Sequence, residues 1–207
     1  MTLPSRNRVT PRGDLIAASW RGQLMGNRGR LAEDPRDGPT WRNRAWITCR
    51  LQPLPGAGTD RAYTKLFFSD EAASLAAGHR PCAQCRRDDF ERFKAAWARC
   101  ANVAAVSAVR IDEALSQERR RSNACMMSEG VRSLPDGSFV EQGPQDHGVF
   151  LVKRGQFWRW SEGRYTDTPT QLSGPVRLLT PPSVVAVLRE GYRPFIGTPG
   201  EKHCVSG

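Results

Sequence analysis

The stretch F-F-S-D-E-A-A-S-L-A-A-G-H-R-P-C-A-Q-C-R-R-D-D-F, residues 67–90, organises the reading of the chain. Its first residues close a segment, Tyr63–Phe68, that reads as a strand. Ser69 is a good helix N-cap, and Asp70 and Glu71 suit the positive end of a helix dipole. Ala72–Ala77 is strong helix former, and Gly78 is a stop that tolerates left-handed backbone. His79-Arg80-Pro81 then leads into Cys82-Ala83-Gln84-Cys85. Asp88 and Asp89 open a second helix reaching about Arg99, on which Phe90, Phe93 and Trp97 make one apolar core stripe.

The C-x-x-C pair lets two thiolates grip one tetrahedral Zn²⁺ from a single turn. Arg80, Arg86 and Arg87 beside it would lower the thiol pKa values and offset the charge of bound thiolates. In order and spacing, residues 63–97 closely resemble the second half of the Ada-type metal-binding domain. That resemblance implies a small mixed α/β zinc module associated with DNA, with Cys82 and Cys85 at the family's second ligand pair. The family's first pair, C-x-x-x-C ahead of the strand, is here reduced to Cys49, because Ala45 stands where its partner would fall. The zinc-module fold is therefore carried over, and the family's methyl transfer from a DNA phosphotriester is not.

Two thiolates do not fill a tetrahedron. Cys49 is the third expected ligand, and His79, Cys100, His147 or water are open choices for the fourth. His79 also reads as a hydrogen-bonded helix-exit residue, and Cys100 as a small buried apolar side chain. A metal-free fold with reduced thiols is the alternative. Cys125 and Cys204 receive no role.

Upstream, Ala45–Leu51 is a second strand candidate that pairs with Tyr63–Phe68 as a hairpin. Arg21–Arg30 is punctuated by glycine and reads as loop around a short element at Leu24–Met25. Downstream, Ser107–Arg121 is a third helix, with Ala108, Ile111 and Leu115 inward and Asp112 and the arginine run toward water. Beyond residue 130 the pattern turns to short strands: Phe139–Glu141, Val149–Lys153, Gln156–Trp160 and Val176–Leu179. A last helix, Ser183–Arg189, stops at Gly191. Its exit, Leu188–Pro194, echoes Leu75–Pro81, with Phe195 standing where Cys82 stands. The expected fold class is α+β. A small mixed sheet with helices surrounds a CxxC zinc-type module (1–125), followed by a β-rich region with a C-terminal helix (126–207).

The net charge is +10 over 207 residues, and the excess is arginine: 27 Arg against 4 Lys. Residues 1–50 hold ten Arg and four acids, so more than half of the excess sits in the first quarter. Guanidinium suits phosphate through its bidentate fork. The expected partner is therefore DNA or RNA, met by Arg28, Arg30, Arg42, Arg44, Arg80, Arg86 and Arg87. No window is apolar enough for a membrane span and no secretory leader is seen, so a cytoplasmic protein without a membrane partner is expected. The alternatives are a metal-dependent enzyme acting on nucleic acid, and a structural or partner-binding protein whose arginines reflect codon usage.

Overall fold

The computed structural model describes residues 5–29, 31–34, 38–41, 43–52, 64–120, 125–127, 131–143 and 148–197. Arg30, Arg42, His147 and Cys204 lie outside them. In chain order, β1 (Arg6–Val9), β2 (Leu15–Ala17) and β3 (Leu24–Asn27) precede a separate hairpin of β4 (Leu31–Asp34) and β5 (Gly38–Trp41). Then come β6 (Ile47–Cys49), β7 (Leu66–Phe68), α1 (Glu71–Ala76), β8 (Arg80–Pro81), α2 (Arg87–Cys100) and α3 (Ala108–Arg120). The remainder is β9 (Cys125–Met127), β10 (Phe139–Gln142), β11 (Val149–Lys153), β12 (Gln156–Ser161), β13 (Arg164–Tyr165), β14 (Val176–Leu178) and α4 (Pro182–Arg189). The class is α+β as expected, with two six-stranded sheets ordered β2-β1-β7-β3-β6-β8 and β13-β12-β11-β10-β14-β9.

The expected hairpin of the two strands before α1 does not form. β3 lies between β6 and β7 and pairs antiparallel with both. Its glycine had the look of a loop signal, yet Gly26 sits inside the strand. A Cβ there would lie 2.4 Å from Cε2 of the Phe68 ring. Glycine thus marks a close approach rather than a break. The second sheet is antiparallel throughout and follows the expected β pattern. Arg154 and Gly155, at φ of 53° and 67°, make the tight turn between β11 and β12.

α1 is the hub. All six of its residues are buried. Leu75 packs with Phe93 and Trp97 of α2, Ile111 and Leu115 of α3, and Val187 and Leu188 of α4. Ala72, Ala73 and Ala76 face Phe139, Leu151 and Trp160 of the second sheet. Ala77 closes on Val9, Leu66 and Phe68 of the first. Small side chains allow this three-sided approach, because helix and sheet can come near on every face.

The N-cap of α1 is Asp70, one residue beyond the Ser69 read from the sequence. Its Oδ1 accepts from the Ala73 N–H at 2.8 Å. Its Oδ2 accepts from the Tyr165 hydroxyl at 2.5 Å and the Gly197 N–H at 3.0 Å. Ser69 Oγ instead accepts from Trp160 Nε1 at 3.1 Å. Glu71 accepts from the Tyr192 hydroxyl at 2.6 Å and the Phe195 N–H at 3.0 Å, and pairs with Arg86 at 2.8 Å. Phe195 O in turn accepts from the N–H groups of Glu71 and Ala72. The two echoed exits therefore meet. Both stop on a left-handed glycine, Gly78 at φ 77° and Gly191 at φ 94°. The second exit then caps the start of the first helix.

Asp112 departs from the expectation that it faces water. It is buried and binds Arg80 through two parallel bonds of 2.8 Å.

Two predictions follow from this packing. Burial raises the Asp70 pKa to about 6, against hydrogen bonds from Tyr165, Ala73 and Gly197 that oppose the shift. A carboxyl raised in the folded state contributes stability that is complete below about pH 4 and is lost as pH rises through about 6. Urea unfolding of the wild type should show this decline, worth about 3 kcal/mol. Asp70→Asn, which cannot titrate, should lack it and be less stable throughout, because its amide N–H₂ would face other donors. Separately, Gly26→Ala should lower the unfolding free energy by about 1–3 kcal/mol, since a methyl must displace the Phe68 ring.

Candidate metal centre

The parallel pair β6–β8 aligns Ile47 with Arg80 and Thr48 with Pro81. One step further along each chain places Cys49 beside Cys82. The Cys82 N–H donates to Thr48 O at 3.0 Å and locks that register. From Cys82 the chain turns tightly, and the Arg86 N–H donates back to Cys82 O at 3.1 Å as α2 begins. This turn returns Cys85 to the other two thiols. The sulfurs of Cys49, Cys82 and Cys85 all lie within 4.8 Å of one another. Thiolates on one tetrahedral ion at about 2.3 Å would sit about 3.8 Å apart, so the cluster can hold a metal with small adjustment.

The surroundings favour the anion at one sulfur, Cys82. Cys82 is the thiol held down: the Cys49 and Cys85 thiols donate to it, as do the N–H groups of Cys85 and Gln84. At Cys85 the Cys49 thiol and the Arg50 N–H favour the anion, but Cys82 and burial outweigh them and push the thiol up. Cys49 is pushed up by its two sulfur neighbours, then by burial. Main-chain N–H groups aimed at sulfur are what bound thiolates need to spread their charge.

No fourth protein ligand joins the cluster among the described residues. His79 is adjacent in sequence but is not brought to the sulfurs. Its ring is fully buried between Phe68, at 4.7 Å, and Trp46, at 5.1 Å. Its Nε2 accepts from Arg28 Nε at 3.2 Å, and burial next to Arg28 and Arg119 keeps it neutral. The helix-exit alternative therefore describes it. Cys100 is exposed at the end of α2, which corrects its reading as a buried apolar residue.

Three arginines expected to meet nucleic acid are internal. Arg28 is 2% exposed; it donates to Gly13 O and lies 4.0 Å over the Trp46 ring. Arg80 is consumed by Asp112. Arg86 binds Glu71 and Asp89; burial opposes its charge, and the two carboxylates outweigh burial. Guanidinium groups so engaged have no fork left for phosphate. Arg44 and Arg87 are exposed and remain accessible. Arg119, read only as part of a charged helix end, also lies 4.1 Å from the Trp46 ring centre and donates to Gly78 O and Arg44 O. Nothing local in the sequence marks that contact, because it joins residues 73 positions apart.

Comparison with family models, curated proteins and solved structures gives no match. The likeness to the Ada-type domain thus rests on residues 63–97 alone. Among the described residues no helix is long and apolar enough to cross a membrane.

Cobalt(II) should titrate the reduced protein to a single equivalent, with thiolate-to-cobalt charge-transfer absorption. Cys82→Ser should abolish that absorption, since it removes the sulfur that both neighbours address.

Proposed function

We propose that this is a zinc-binding protein associated with DNA, in which the metal clamps β6 to the turn that starts α2. The observation carrying the proposal is the cluster of Cys49, Cys82 and Cys85. Three soft thiolates with N–H groups directed at two of them select zinc over hard cations. Zinc here is structural: it would tie a three-residue strand to a two-residue strand, elements too short to hold their register alone. The DNA association is supported by the +10 charge, by the Ada-type resemblance, and by the arginines around the thiols. Arg50 and Arg87 are exposed on either side of the cluster, one following Cys49 and the other two residues beyond Cys85. With Arg44 they replace the buried Arg28, Arg80 and Arg86 in the contact set.

A second reading is favoured by one feature, the count of three candidate ligands among the described residues. A three-ligand zinc with an open position is the arrangement of catalytic sites, and it would suit a metal-dependent enzyme acting on nucleic acid.

Fluorescence anisotropy with labelled duplex DNA tests the binding function. Affinity should fall steeply with salt, by a log–log slope of about −0.9 for each phosphate neutralised. Arg50→Gln with Arg87→Gln should make that slope shallower by up to about 2. Salt-independent or absent binding of zinc-loaded protein would overturn the DNA association. Removing zinc separates the two roles of the metal. Loss of the fold on chelation marks a structural ion, and retention of the fold with loss of a hydrolytic activity marks a catalytic one.

A further inference from the structure

We propose that the cavity bounded by residues 12–14, the exit of α1, the end of α3 and the start of α4 binds a phosphate monoester of about mononucleotide size. The site is separate from the thiols, none of which lines it. The cavity is about 300 Å³, at the lower end of small-molecule sites.

Its wall carries three guanidinium groups, Arg12, Arg119 and Arg177, on three distant segments. Arg12 and Arg177 are drawn together because both bind the one carboxylate of Glu141. Arg119 stands on another segment, against the Trp46 ring, and Arg28 lies against the same indole. Neither Arg28 nor Arg119 has a carboxylate within ion-pair distance among the described residues. Their hydrogen-bond partners are main-chain carbonyls and the neutral His79. Burial lowers both pKa values, Arg28 to about 9 with Arg119 as the next cause, and Arg119 to about 10. Asp112, then Glu118, oppose part of the shift at Arg119.

Two acids also line the cavity. Glu118 accepts from the N–H and hydroxyl of Ser183 at 3.3 and 2.7 Å. Asp14 gives Arg28 partial electrostatic support. Counting Arg12, Arg28, Arg119 and Arg177 against Asp14, Glu118 and Glu141 leaves the group net cationic by one charge. A phosphate monoester has three terminal oxygens, which suits guanidinium forks arriving from three sides. Leu178, Leu179 and Pro181 supply an apolar surface for the remainder of the ligand.

Calorimetry on the full chain with inorganic phosphate, adenosine 5′-monophosphate and adenosine tests this. The monophosphate should bind, inorganic phosphate should bind more weakly, and adenosine should not bind. Arg177→Gln and Arg12→Gln alter partly exposed side chains and should keep the fold by circular dichroism. Each should weaken monophosphate binding about tenfold. Arg119→Gln should weaken it further if the variant folds, and the other two decide the matter if it does not. Oligonucleotides with and without a 5′-phosphate distinguish the source. A preference for the phosphorylated end that Arg177→Gln removes assigns a nucleic-acid terminus. Monophosphate binding without that preference assigns a free metabolite, and either supports the site. No binding, equal binding of adenosine, or binding indifferent to both Arg177→Gln and Arg12→Gln would overturn it.

Discussion

Two carboxylates with no access to water, Asp70 and Glu71, govern how this chain assembles. A buried charge or polar group is tolerated only when its hydrogen-bonding capacity is met. Here the partners come from far along the chain: Arg86, Tyr165, Tyr192 and the N–H groups of Phe195 and Gly197. The start of one six-residue helix therefore dictates where α2, the edge of the second sheet and the segment after α4 must lie. The apolar clusters on the three sides of α1 are consistent with that placement, since alanines there leave room for each neighbour.

The metal cluster is tied to the same centre. Arg86 follows Cys85 directly, and its guanidinium reaches Glu71. On the opposite side, Thr48, which precedes Cys49, donates to Ser74 Oγ inside α1. Both arms of the thiol cluster are thus anchored to the helix that the buried carboxylates hold. A metal joining Cys49 to Cys82 and Cys85 would close a loop that the protein has already drawn together, and would thereby couple its binding to folding stability through α1.

The arginine excess divides into two populations. Arg28, Arg80, Arg86 and Arg119 serve the interior, where the flat guanidinium stacks on Trp46 or Phe90 and joins carbonyls or carboxylates across the fold. Lysine would not substitute, because a compact ammonium can neither stack as a plane nor bridge in a fork. The net charge consequently overstates the surface available to a polyanion near the N terminus. It understates the interest of the space beside Trp46, where four arginines gather around three carboxylates.

Much of the local order was legible in residues 67–90. The strand, the helix stop at Gly78, the C-x-x-C turn and the Phe90–Phe93–Trp97 stripe follow from φ preferences and helical periodicity, which act over a few residues. Cys49 was also legible as the third member of the thiol cluster. What only the tertiary structure decided involves partners dozens of residues apart. It inserted β3 between β6 and β7, because Gly26 admits the Phe68 ring. It turned His79 away from the sulfurs, and it drew Arg28, Arg80, Arg86 and Asp112 inside. A side chain's spacing states what it can reach locally. Whether a charge is spent on solvent, on a ligand or on another buried charge depends on which distant group the fold sets against it.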